Sequence, residues 1–90
     1  MLKVRYSAKF KKDFKLIQKQ GNDVNLLQEV IKLLCAEKQL PPKNKDHDLF
    51  GNYAGHRECH ITLNWLLIYK IEKDILTLSL TRTGPHSDLF

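Results

Sequence analysis

Leu2, Val4 and Tyr6 alternate with Lys3 and Arg5, a period of two that predicts a short strand with one buried face. Ser7 then offers a helix N-cap. Phe10, Phe14 and Ile17 recur at i, i+4 and i+7 with lysines in the other positions, which predicts a basic amphipathic helix over about residues 8–20, stopped by Gly21. A second helix should be capped by Asn22 or Asp23 and carry Val24, Leu27, Val30, Ile31 and Leu34 on one face. It is expected to run to about Glu37, before Pro41 and Pro42 forbid continuation, so the two helices form a hairpin.

From Pro41 to Gly55 the pattern is irregular and rich in turn formers, which predicts a long loop with room for a short strand at Leu49. Ordered loops of this length in small domains often carry function. Alternation then returns, with strands expected near 57–62, 65–72 and 75–82, joined by turns at Leu63-Asn64 and Lys73-Asp74. Trp65 to Ile71 is apolar on both faces and should be the central strand. In the last strand Leu76, Leu78 and Leu80 point one way and Thr77, Ser79 and Thr81 the other. The expected architecture is therefore α+β in the order β-α-α-β-β-β, with a helical hairpin on one face of a small antiparallel sheet and solvent or substrate on the second.

The 90 residues, 42% hydrophobic and 28% charged, suffice for one core, so residues 1–90 are read as a single domain whose active site must be a shallow surface groove. No apolar run approaches the roughly 20 residues of a membrane span, and the first twelve residues lack the apolar stretch of a signal peptide. A cytoplasmic location without a membrane partner is expected. Cys35 and Cys59 are too few for a disulfide framework and fit free thiols. The net charge of +5 favours phosphate-rich or acidic partners, without distinguishing RNA from an acidic protein. Lys3, Arg5, Lys9, Lys11, Lys12, Lys15 and Lys19 crowd the N-terminal segment, where Asp13 is the only acid; a solvated helix face accounts for them equally well.

All four histidines, His47, His56, His60 and His86, lie in the C-terminal half. Imidazole gives and takes protons near neutral pH, so two or three in one groove suggest general acid–base chemistry. Strand alternation puts His60 on the face of Glu58 and Thr62, opposite Cys59, which pairs an imidazole with a carboxylate. Arg82 precedes His86 across a turn and is a fixed positive charge suited to a phosphate. A zinc site at His56, Cys59 and His60 is disfavoured, because neighbours on a strand point to opposite faces and no two-cysteine knuckle exists. No phosphate-cradling Gly-rich loop, serine elbow or paired-carboxylate nuclease motif is present, and neither a metal nor a cofactor is expected.

These residues resemble the YafQ-like branch of the RelE superfamily, the mRNA-cleaving toxins of bacterial type II toxin–antitoxin pairs, over nearly the whole chain. The carriers are Lys45-Asp46-His47-Asp48-Leu49-Phe50-Gly51, Arg57-Glu58-Cys59-His60-Ile61, Trp65-Leu66-Leu67-Ile68-Tyr69 and the terminal run from Arg82 to Phe90. The resemblance implies the compact RelE-like fold and places catalytic histidines at His47, His60 and His86. It also puts a basic residue near the scissile phosphate at Arg82 and an mRNA-contacting aromatic at Phe90. Lys45, Arg57, Lys11, Lys12 and Lys15 are the further candidates for RNA contact. The family usually has an aspartate just before the Trp-Leu-Leu-Ile-Tyr strand. Here Asn64 stands there, so it is read as a positioning residue and Glu58 as the carboxylate.

The resemblance further implies ribosome-dependent, metal-independent cleavage by attack of the RNA 2′-hydroxyl on the adjacent phosphate, which DNA lacks. His86 is expected to be the acid, His47 or His60 the base, and Arg82 with nearby lysines the charge clamp. The implied partners are mRNA, the 70S ribosome and an acidic RelB/DinJ-like antitoxin, with operator DNA met only through the antitoxin. The rival reading is a RelE-like RNA-binding or repressor-partner module without nuclease activity, and Asn64 is its best support.

Overall fold

A computed structural model describes all 90 residues. Strand β1 (Lys3–Tyr6) leads into helix α1 (Ala8–Lys19), whose first turn is closed by Ser7: its Oγ accepts from the Phe10 N–H at 2.9 Å. The same hydroxyl donates to the Thr81 carbonyl at 2.7 Å, tying the start of α1 to the last strand. Gly21, at φ +81°, makes the left-handed turn after α1, and Asp23 caps helix α2 (Val24–Cys35) by accepting from the Asn25 N–H at 3.0 Å. The second helix stops before Glu37, which itself takes a left-handed φ of 57°, so the prolines lie beyond an end already made.

The rest of the chain is β2 (His47–Asp48), β3 (Arg57–Thr62), β4 (Trp65–Glu72), β5 (Thr77–Gly84) and a last short helix α3 (His86–Leu89). Pro42–Asn44, Gly51–Tyr53 and Lys73–Ile75 are single 3-10 turns, the last taking the place of the first residues expected of the final strand. The sheet order is β1-β5-β4-β3-β2, with β4 in the centre as its two-sided apolar pattern requires. The sheet is mixed rather than antiparallel, because β1 pairs in parallel with β5 along Lys3↔Thr77 to Tyr6↔Leu80, while β2 to β5 alternate in direction. Parallel pairing is possible because β1 and β5 are not joined directly: both helices and strands β2 to β4 lie between them in the chain, the helical hairpin carrying it from one edge of the sheet to the other.

Both long helices cover one face. Phe10 and Ile17 of α1 and Leu27, Val30 and Leu34 of α2 pack on Cys59, Leu67, Tyr69, Leu78 and Leu80 of the sheet. Each large side chain buried there contributes about 1.5–3 kcal/mol. Trp65, also in this core, satisfies its Nε1–H on Thr83 Oγ1 at 2.8 Å, and that hydroxyl donates onward to the Leu66 carbonyl at 2.8 Å. The second face is not simply left to solvent: Leu66, Ile68 and Leu89 form a smaller core, edged by Leu49 and Tyr53.

One irregularity decides where the chemistry lies. Even-numbered residues of β5 up to Leu80 face the helices, so strict alternation would send Arg82 the same way. A bulge at Thr81 breaks the register, Tyr69 pairing with Leu80 but Ile68 with Arg82. Arg82 therefore falls on the second face, and Thr83 takes its place toward the helices.

Candidate active site

Beside the small second core, the same face opens into a groove of about 570 Å³ lined by Glu58, His60, Asn64, Leu66, Pro85 and His86. Its centre is Glu58, whose side chain is only 7% exposed although it carries a carboxylate. Glu58 Oε1 stands 3.5 Å from His47 Nε2 and 3.8 Å from His60 Nε2. Its Oε2 and the Nδ1 of His60 are buried without a hydrogen-bond partner in the protein, two polar atoms left for something that enters the groove.

Strand pairing builds this cluster. Register sets His47 opposite Glu58 and Asp48 opposite Arg57, so β2 turns its imidazole to the groove and its carboxylate to the other face. There Arg57 reaches Asp46 through Nε (3.3 Å) and Nη2 (3.1 Å) and Asp48 through Nη1 (2.5 Å), while the Tyr69 hydroxyl donates a short hydrogen bond to Asp46. The Asp46 hydrogen bond raises the Arg57 pKa above its already high value, and burial followed by Asp46 raises that of Tyr69. Arg57 is thus a clamp on the segment carrying His47: three of its five donors are engaged by two carboxylates, so it is not the unpaired cation that the expected RNA contact supposed. On the groove side, His47 Nδ1 lies 2.7 Å from the Lys45 carbonyl, with Lys45 in the left-handed region at φ 47°. Nδ1 must donate to that carbonyl, so the contact between Nε2 and Glu58 needs one proton, on one partner or the other.

His60 is held from behind by a residue the sequence did not flag: buried Asn44 donates from Nδ2 to the His60 carbonyl at 2.7 Å. His86 opens α3 rather than an irregular turn; its ring is stacked on Phe90 at 4.8 Å and 28°. Phe90 also meets Tyr53 edge-on at 5.5 Å, so this aromatic backs the His86 imidazole while remaining 55% exposed. Asn64 and His60 line the same groove from either side of the Leu63-Asn64 turn.

Arg82 donates from Nε and Nη2 to the two Asp13 oxygens at 2.7 and 3.1 Å, and Asp13 also accepts from the Thr83 N–H at 3.1 Å. The Asp13 contact raises the Arg82 pKa further, and neither Asp13 bond uses Nη1, whose donors point elsewhere. Asp13 was visible in the sequence as the single acid in a basic helix; its target was not. Lys45 lies beside the site, in a hollow with Lys43 and His60. Lys11 and Lys15 line the cleft between α1 and α2, and Lys12 is exposed on the same helix, so the structure does not bring these three to the histidines. Burial, with the nearby Asp46 and Glu58 carboxylates adding to it, pushes the Cys59 thiol up to about 12, in keeping with a wholly structural place behind the groove.

Residues 2–90 match the family described as bacterial toxin of type II toxin–antitoxin system, YafQ. The chain belongs to the YafQ toxin family. It is 40% identical over 88 residues to the mRNA interferase toxin YafQ of Escherichia coli K12, covering 97% of this chain and 94% of that protein. The fold is similar to that of a metal-bound toxin from Helicobacter pylori, at TM-score 0.95 and 47% identity with both chains fully covered. It is also similar to YafQ in the E. coli DinJ–YafQ complex, at TM-score 0.91 and 38% identity over 100% of this chain and 99% of that one. In this chain two strands and a short helix bring His47, His60 and His86 to one face of the sheet.

Proposed function

We propose that this toxin is a ribosome-dependent endoribonuclease that cleaves mRNA by side-chain acid–base catalysis. The observation that carries the reading is the buried Glu58 carboxylate between His47 and His60, with His86 lining the same groove. In the proposed reaction His47 or His60 takes the proton of the RNA 2′-hydroxyl, and that oxygen attacks the adjacent phosphorus. His86 gives a proton to the departing 5′-oxygen, so protons balance within the side chains. The Arg82 guanidinium, with Lys45 nearby, stabilises the charge that builds on the phosphoryl oxygens. Glu58 holds and polarises the imidazoles, and the Asn64 amide positions substrate without exchanging a proton.

This reading routes no step through a metal, because each proton transfer has a side chain to carry it; a Helicobacter relative is described as metal-bound. The ribosome's part is to hold mRNA in the in-line geometry that an open groove on a 90-residue domain does not impose by itself. Because E. coli YafQ is described in complex with DinJ, the reading includes an acidic antitoxin of that kind as inhibitor, with operator DNA met only through it, and a cytoplasmic setting. The charge of +5 suits both partners.

Incubating the toxin with translating ribosomes and mapping mRNA 5′ ends by primer extension tests the proposal, with His86→Ala as control. New ends that depend on ribosomes, and a loss of at least about 10²-fold in the single-turnover rate of the variant, are the expected result. Asn64 in place of the family's usual acid favours a second reading, a module that binds RNA or antitoxin without cleaving. Normal ribosome binding with no new mRNA ends would establish that one instead.

A further inference from the structure

Past α3 the groove face continues into a second hollow of about 480 Å³, lined by Lys9, Phe50, Asn52, Tyr53, Leu89 and Phe90. Its floor is firmly held. The Tyr53 hydroxyl donates to the Leu89 carbonyl at 3.2 Å, Phe90 packs edge-on against Tyr53, and Leu89 is buried in the second core. Its rim is different: Phe50 is 84% exposed, in extended backbone just before the Gly51–Tyr53 turn, and none of the ring–ring contacts in this region includes it.

Resting on the ribonuclease reading, we infer that this hollow is a nucleotide subsite, in which the base next to the scissile phosphate stacks on Phe50 and its own phosphate meets Lys9 and Arg82. An uncovered aromatic ring offers a face that any unstacked base can cover, which is how single-stranded RNA is commonly held. Charge selects RNA over an apolar protein surface. Lys9 lines the hollow and no Asp or Glu side chain does. Arg82 is not part of the lining but has the side chain of Tyr53, which is, beside it, and is held by Asp13 one helical turn along α1 from Lys9. Continuity sets the order along the strand. Phe90 stacks on His86 and also lines the hollow, so an RNA whose phosphate lies against His86 carries its neighbouring nucleotide over Phe50. Asn52 adds an amide that can both donate to and accept from a base edge.

The test measures binding of a single-stranded RNA of about ten nucleotides, a length in the range of one such site. Every 2′-hydroxyl is methylated so that cleavage is blocked. Wild type, Phe50→Ala and Phe50→Trp are compared on the intact RNA and on a set with one abasic nucleotide moved along it. Phe50→Ala should weaken binding between about 5-fold and 100-fold, the range of a base–aromatic stack. Phe50→Trp should restore it, and at one abasic position wild type and Phe50→Ala should become equal. Equal affinities on the intact RNA, or a Phe50→Ala deficit unchanged at every abasic position, would overturn the subsite. Normal RNA affinity of Phe50→Ala with weakened binding of the co-encoded antitoxin would assign the ring to a protein contact and also overturn it. Ribosomal cleavage by the wild type is scored separately: its absence counts against the nuclease reading, whereas cleavage with Phe50-independent RNA binding counts against the subsite alone.

Discussion

Asn64 lines the groove with His60 and His86 but brings an amide where the sequence resemblance implies an acid. Asn64→Asp is expected to leave cleavage on ribosomes unimpaired or faster, since it restores a carboxylate beside His60. Slower single-turnover cleavage would mean that the site uses the amide as a donor. Cys59 makes the opposite kind of prediction. Its thiol is fully buried, and its folded-state pKa is raised from 9.0 to about 12, chiefly by desolvation. A raised folded value favours the protonated thiol in the native state, so this contribution to stability is complete below about pH 9 and is lost as pH rises toward 12. At pH 8 an aromatic disulfide reagent should therefore label Cys59 only at the rate at which the protein unfolds. Labelling as fast as a free thiol would contradict the burial.

At the scale of elements, the two-residue strand β2 holds His47 only because its flanking carboxylates are clamped from the far side of the sheet. Arg57→Ala should cost about 1 kcal/mol or a little more in chemical denaturation, a modest value because the pair is partly solvated. It should lower the cleavage rate by about tenfold or more while leaving ribosome affinity within a few-fold, the signature of lost positioning. Arg57→Lys should rescue poorly, since an ammonium cannot span two carboxylates as a guanidinium fork does. Ribosome binding that falls as far as the rate would return Arg57 to the role of an RNA contact. What the sequence made legible follows the same line. The phase of α1 was readable from Phe10 and Ile17, and the groove-facing pair Glu58 and His60 from strand alternation, because both are local periodicities. The side taken by Arg82 was not, since one extra residue at Thr81 reverses the alternation, and a bulge leaves no mark in the pattern. The parallel pairing of β1 with β5 was equally hidden, as direction is set by the path of the whole intervening chain and not by the strand's own residues.

Over the whole molecule the sheet separates two surfaces. Its helical face carries the cleft with Lys11 and Lys15, and its other face carries the histidines, Arg82 and the Phe50 hollow. The positive charge read from the sequence is therefore divided, and on the proposed reading the α1 lysines would meet a ribosomal or antitoxin surface while the groove takes mRNA. The central claim is that the groove's own side chains carry both proton transfers, and it is tested most directly by the chemistry of the new mRNA ends. Single-turnover cleavage on translating ribosomes should yield upstream fragments ending in a 2′,3′-cyclic or 3′-phosphate and downstream fragments with a 5′-hydroxyl. The end structure should be unchanged when chelator is added and ribosomal magnesium is held constant. Fragments ending in a 3′-hydroxyl, lost on chelation, would mean that a metal-activated water is the nucleophile and would contradict it.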